Sequence, residues 1–234
     1  MDAEIKFSVI GDNGILIDFG NRINESLNTT VFHLFQKIKN KKLSFLIDVI
    51  PAYSSLAVFY SLNDVKNKYG NEVSCFESVT HEIKEILKEE MVISKTSLRK
   101  IKIPVCYTDE FALDIKEISK EKNITIDEII RIHTSKTYRV YMIGFLPGFP
   151  YMGEVDESIS MPRRSVPRIA VPAGSVGIAG LQTGIYPLES PGGWQIIGRT
   201  PFKLFDKEKS EPVLLQPGDE IEFYSITEDE FTNF

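Results

Sequence analysis

The sequence predicts an α+β protein in two parts: a small N-terminal α+β domain over residues 1–92, then a β-barrel or sandwich over residues 93–234. Three observations predict it. The first ninety residues alternate strand-like and helix-like apolar patterns. A polar stretch without periodicity, residues 91–99, follows them. After Arg139 the texture changes, with 11 of the 15 glycines and 10 of the 12 prolines lying between Gly144 and Gly218. Helices of ordinary length do not fit between such breakers, so this half is built from short strands and tight turns. A chain of 234 residues also has room for two domains of roughly 100–200 residues each.

The elements follow in order. Lys6 to Ile10 and Ile15 to Phe19 are apolar runs separated by Gly11-Asp12-Asn13-Gly14, a tight-turn signal that predicts a hairpin. Leu27, Val31, Leu34, Phe35 and Ile38 recur at helical spacing. Ser44 to Val49 and Ser55 to Tyr60 read as two strands joined around Pro51, and Val73, Phe76, Ile83, Ile86 and Leu87 mark a second amphipathic helix. Strands covered by two helices make a small α+β sandwich. Lys100 to Tyr107 is a further strand, followed by two short helices. The second of these opens on Thr125 and Glu128, spaced as a capping box, and carries Ile126, Ile129, Ile130 and His133 on one face. The remaining strands are Val140 to Phe145, Val176 to Ala179, Trp194 to Ile197, Val213 to Leu215 and Ile221 to Tyr224.

Composition narrows the function classes. With 42% apolar and 26% charged residues the chain is an ordinary globular protein rather than a disordered one. Its net charge of −6 provides no basic face for nucleic acid. Met1 to Phe7 lacks the apolar core of a secretory signal, and no window approaches the roughly 20 apolar residues of a membrane helix. These features predict a cytoplasmic protein with neither nucleic acid nor membrane as partner. Cys75 and Cys106 have no metal spacing and make no disulfide framework, so both read as packed free thiols. There is no GxxxxGK[ST] phosphate loop, no GxGxxG fingerprint, no HExxH and no His/Cys cluster, so no metal site is expected.

The candidate chemistry is local. Gly144-Phe145-Leu146-Pro147-Gly148-Phe149-Pro150-Tyr151 must turn sharply after a strand, and glycine lets backbone approach a ligand closely. Arg163, Arg164 and Arg168 lie within six residues just after Pro162, and the guanidinium fork suits carboxylates. Gln182, Thr183 and Tyr186 supply neutral donors and acceptors, and Ser190-Pro-Gly-Gly-Trp194 adds a rigid loop. An aromatic-lined pocket with a few polar groups is how small-molecule sites are built, although a barrel whose turns need Gly and Pro accounts for the same composition. Individual residues leave two readings open. Trp194 fits a core filler or a stacking platform, Ser175 a turn residue or a nucleophile, and His133 a hydrogen-bonded core residue or a proton shuttle. Asp114 is a candidate partner for the His133 imidazole.

These motifs also carry a resemblance. His133…Tyr138-Arg-Val…Gly144-Phe-Leu-Pro-Gly-Phe-Pro-Tyr151, Pro162-Arg163…Pro167-Arg168, Val171-Pro-Ala-Gly-Ser-Val-Gly-Ile-Ala-Gly180, Gln182-Thr-Gly-Ile-Tyr-Pro187, Ser190-Pro-Gly-Gly-Trp-Gln195 and Gly198-Arg-Thr-Pro201…Leu204-Phe-Asp206 resemble the family of 5-oxoprolinase B subunits, also called allophanate hydrolase subunit 1. The likeness is tight over the last hundred residues and general over the first ninety. It implies a small N-terminal α+β domain and a C-terminal cyclophilin-like β-barrel. It further implies a protein that works with A and C subunits, at the expense of ATP, to open the lactam of 5-oxoproline to glutamate. The alternatives within the resemblance are an inhibitor of a sporulation histidine kinase and a carboxyltransferase domain acting on a urea derivative. On the enzyme reading, Arg163 or Arg168 would hold the substrate carboxylate, and Phe145, Phe149, Ser175 and Trp194 would complete the binding surface. His133, Gln182 and Tyr186 would be the catalytic set. With no phosphate loop in this chain, ATP would be gripped by a partner.

Overall fold

The computed structural model describes residues 5–20, 24–89 and 99–234. The chain forms two compact units, Met1–Thr96 and Ser97–Phe234. The expected boundary between residues 92 and 93 lies outside the described residues.

In the first unit the elements run β1 (Lys6–Ile10), β2 (Gly14–Asp18), α1 (Glu25–Asn40), β3 (Leu46–Pro51), β4 (Ser55–Tyr60), α2 (Leu62–Tyr69) and α3 (Cys75–Lys88). The predicted hairpin forms, with Ile10 opposite Gly14. The four strands make an antiparallel sheet in the order β1-β2-β4-β3. Val31, Leu34 and Ile38 of α1 and Val79, Ile83 and Ile86 of α3 are buried with Ile15, Ile17, Leu56 and Val58 of the sheet. Each such side chain contributes about 1.5–3 kcal/mol on burial. Helix α3 opens on a complete capping box, Ser74 with Glu77. Helix α2 was not expected. Leu62, Val65 and Tyr69 recur at helical spacing, but over only eight residues, and Val65 alone is buried. Its start is set by the Ser61 side chain, which accepts from the Asp64 amide at 3.3 Å, and Gly70 ends it at φ 83°.

The second unit contains β5 (Lys100–Cys106), α4 (Ile115–Lys122), α5 (Ile126–Thr134), β6 (Thr137–Ile143), β7 (Pro150–Gly153), β8 (Arg168–Val171), β9 (Ser175–Ala179), β10 (Gln182–Ile185), β11 (Ser190–Gly192), β12 (Gln195–Arg199), β13 (Glu220–Ile226) and α6 (Glu228–Thr232). Seven strands close into a barrel in the order β10-β7-β6-β13-β5-β12-β9, β10 pairing back onto β9. The β13–β5 pair is parallel and the others are antiparallel. Strands β8 and β11 form a separate two-stranded ribbon. The barrel interior is filled by side chains such as Ile103, Val105, Val140, Met152, Ile178 and Ile221.

Two local expectations are corrected. Thr125 accepts from the Glu128 amide at 3.2 Å, but the Glu128 carboxylate turns to Arg131 instead of the cap, so the box is half made. Arg131 offers a charge-assisted fork, a stronger partner than one amide. The segment Val213 to Leu215 forms only a single bridge, Val213 to Phe205, because Pro212 and Pro217 deny it a ladder. Cys75 begins α3 and Cys106 ends β5, both as free thiols.

Candidate functional site

Two groupings of aromatic and polar side chains in the barrel unit contain sequence candidates. The first is an open cavity of about 220 Å³ lined by Phe145, Phe149, Tyr151, Arg163, Pro167, Tyr186, Pro191, Gly192, Gly193 and Trp194. Phe149 is its hub, edge-on to Phe145 (5.6 Å between centroids), Tyr186 (5.2 Å) and Trp194 (5.4 Å), and 4.9 Å from Tyr151. Edge-to-face pairs of this kind fix ring orientation.

Local sequence places these rings. Gly144 to Gly148 is the turn between β6 and β7. Phe145 sits in it at φ 67°, a left-handed conformation that a bulky residue rarely adopts and that clusters at functional sites. Its ring is left exposed over the cavity. Phe149 packs against Gly184 of β10, where a Cβ would come within 2.9 Å of its ring. Gly192 of β11 is needed for the same reason, since a Cβ there would stand 2.3 Å from the Tyr186 hydroxyl.

Arg163 is exposed and forms no ion pair among the described residues. Burial raises the Tyr186 phenol above its usual range. A backbone hydrogen bond from Trp194 and the charges of Arg163 and Arg168 pull it back. Burial likewise raises Tyr151, again opposed by Arg163. Both phenols therefore stay protonated at neutral pH and face a positive charge. The cavity offers one guanidinium, two phenols and an aromatic wall. It can hold a small anion with a flat body, and it presents no nucleophile or base.

The other two arginines are committed elsewhere. Asp114, at the start of α4, is almost wholly buried. Its carboxylate accepts from Arg168 Nη1 (2.8 Å) and Nη2 (2.6 Å), Arg164 Nη1 (2.7 Å) and the Ile196 amide (2.6 Å). This corrects two expectations: Arg168 is not a cavity residue, and Asp114 does not hold His133.

His133 lies in the second grouping, sealed inside the barrel with no exposed surface. Its ring stacks on Phe223 at 4.6 Å and lies 5.2 Å from Tyr138. Nδ1 is 2.8 Å from the Tyr107 hydroxyl, and Nε2 is 3.3 Å from Thr183 Oγ1. Thr183 donates to the Gly177 carbonyl at 3.1 Å. That donor is thereby used, so Thr183 must accept from Nε2–H, and Nδ1 must accept from Tyr107. Burial lowers the His133 pKa to about 3, so it is neutral. It is not among the residues that line the cavity, and its expected place beside the binding surface is corrected to a buried, hydrogen-bonded position in the barrel.

Of the sequence candidates, the structure brings together Phe145, Phe149, Arg163, Tyr186 and Trp194. It leaves out His133, Gln182, Arg168 and Ser175. Gln182 pairs within the barrel with Gly153 and Ala179, and Ser175 is buried on β9 opposite Arg199. Tyr151 was missed as a site residue, although its spacing of two from Phe149 puts both on one face of an extended segment. The role of Asp114 left no local signal, because its partners lie 50, 54 and 82 residues away.

Comparison with known proteins agrees with this architecture. Residues 5–215 match the carboxyltransferase domain, subdomain C and D. The B subunit of 5-oxoprolinase from Bacillus subtilis is 42% identical over 232 residues, covering 99% of this chain and 97% of that protein. The chain belongs to the family of 5-oxoprolinase B subunits. Among solved structures, a conserved uncharacterized protein of Pyrococcus horikoshii, PH0987, is 42% identical, and the match spans 97% of this chain and all of that one at a TM-score of 0.56. The solved structure of TTHA0988 is 31% identical with a TM-score of 0.76, over 92% of this chain but only 40% of that longer one. No helix among the described residues is long and apolar enough to cross a membrane.

Proposed function

We propose that this chain is the B subunit of a cytoplasmic, ATP-dependent 5-oxoprolinase that, with A and C subunits, hydrolyses the lactam of 5-oxoproline to glutamate. The observation that carries the reading is the full-length identity to a 5-oxoprolinase B subunit, together with a cavity whose one uncommitted cation is Arg163. 5-Oxoproline is a flat lactam ring bearing one carboxylate. Arg163 would hold the carboxylate through paired hydrogen bonds, and the ring would lie against Phe149 and Trp194. The phenols of Tyr151 and Tyr186, kept protonated, would donate toward the amide oxygen as charge builds on it.

The cavity does not suit ATP. One guanidinium with no glycine-rich loop at a helix N-terminus is no grip for a triphosphate. On this reading nucleotide binding and activation of the amide belong to a partner chain, and this chain binds and orients the lactam and shields it from water. No residue of the cavity lining supplies a nucleophile or general base, so the isolated chain should be inactive.

The test is ATP-dependent release of glutamate from 5-oxoproline, measured for the chain alone, with candidate A and C subunits, and with Arg163→Ala. Activity that needs every chain and falls in the variant supports the reading. No glutamate from any combination of folded chains overturns it and turns attention to a kinase partner or to a urea derivative as substrate.

A further inference from the structure

We propose that Asp114 is a positioning residue, which decides that Arg163, and neither of its two neighbours, faces the cavity. Three arginines within six residues are chemically equivalent, and something must sort them. The sorting element is a single buried carboxylate. The Asp114 side chain is 1% exposed and takes four donors, three of them from Arg164 and Arg168. Those two guanidiniums are themselves largely covered, at 30% and 22% exposure. A buried guanidinium needs its counter-charge, because removing one partner of such a pair leaves the other uncompensated.

Two hydrogen bonds beside the clamp fix the backbone around Arg163. The Pro162 carbonyl on one side accepts from Gln195 Nε2 at 3.0 Å, and the Arg164 amide on the other donates to the Gly193 carbonyl at 2.7 Å. Asp114 binds the Ile196 amide with the same carboxylate that holds Arg164. The turn carrying Arg163 and the segment carrying Trp194 are thus tied to one anchor, and cation and aromatic wall keep a set separation. Without the carboxylate, Arg164 would keep only Glu117, at 3.6 Å, and Arg168 would lose its acidic partner, so both could compete for an anion in the cavity. In its functional half this inference rests on the 5-oxoprolinase reading. The geometric half does not.

Two measurements test it. The first uses an arginine-selective dicarbonyl, phenylglyoxal, on the full folded chain, with adducts mapped by mass spectrometry. Arg163 should react first, with Arg164 and Arg168 protected. In Asp114→Asn all three should react, with the near-ultraviolet circular dichroism retained. Arg164 or Arg168 reacting as fast as Arg163 in the unmutated chain overturns the proposal, and this holds even if the Asn variant does not fold. Continued protection of both in a folded Asn variant overturns it equally. The second measurement is kinetic, in the assembled enzyme. Asp114→Asn should raise KM for 5-oxoproline about tenfold while kcat stays within about twofold, the pattern of lost ground-state positioning. Asp114→Glu, which keeps the charge, should return KM most of the way. Equal KM for the two variants, or a fall in kcat alone, overturns the assignment. If the unmutated assembly does not act on 5-oxoproline, the 5-oxoprolinase reading fails, and the modification pattern alone judges Asp114.

Discussion

The His133 grouping and the Arg163 cavity are made of similar parts. Each sets one basic side chain among tyrosines and other rings. In the barrel interior every polar atom of the imidazole has its partner, water is excluded, and the group is held neutral. At the cavity the guanidinium is exposed and forms no ion pair among the described residues, and Tyr151 beside it is only partly covered, although Tyr186 behind them is buried. A polar group whose bonds are complete stabilises a structure. One that keeps its charge unpaired beside an apolar wall is available to a ligand.

The largest expected effect falls on the interior. His133→Ala should cost about 3–5 kcal/mol, from the lost ring packing and the stranded Tyr107 hydroxyl, measured by urea denaturation. Stability should also depend on pH through this residue. Its folded pKa of about 3 lies below the unfolded value of 6.5. The unfolded chain therefore binds a proton that the native chain refuses between those values. The contribution is complete above pH 6.5 and is lost as pH falls toward 3, with a slope of up to ~1.4 kcal/mol per pH unit. His133→Gln should flatten that slope, and an unchanged slope would place the titration elsewhere.

Arg163→Ala should do the opposite. The assembly's kcat/KM for 5-oxoproline should fall about thirtyfold, or ~2 kcal/mol, while the unfolding midpoint of the chain barely moves. If the variant unfolded the chain instead, the contrast between the two groupings would collapse. Gly192→Ala probes the packing of the cavity wall. Its methyl would meet the Tyr186 hydroxyl, so it should cost about 1–3 kcal/mol and weaken binding, read by denaturation and by KM. Thr183→Val should give the smallest change, roughly 1–2 kcal/mol of stability with binding by the folded chain intact.

The elements with a strong period were legible in the sequence. The β1–β2 hairpin, α1, α3 and α5 each carry apolar residues at the spacing of the structure they form, and burial of that face is what selects it. Helix α2 was missed because its helical spacing, Leu62, Val65 and Tyr69, covers only two turns. The Val213 to Leu215 segment misled because its apolar run outweighed the flanking Pro212 and Pro217, and it makes only one bridge, to Phe205. At the site, the glycines and prolines announced tight turns, and the rings of Phe145, Phe149, Tyr186 and Trp194 could be picked out near them. The roles of His133 and Arg168 could not be read, since they depend on Tyr107, Thr183 and Asp114, all distant in the chain.

By itself the sequence determined the two-part α+β plan, the barrel-forming texture of the second half and the short list of residues from which a cavity could be built. These follow from local chemistry: side-chain period, backbone freedom at glycine and its restriction at proline. Only the tertiary structure decided that seven strands close on themselves, that His133 is sealed inside, and that Asp114 takes two arginines and leaves the third to the cavity. Those outcomes are set by contacts between residues far apart in the chain, and a carboxylate's choice among three identical guanidiniums is fixed by where the fold brings each one.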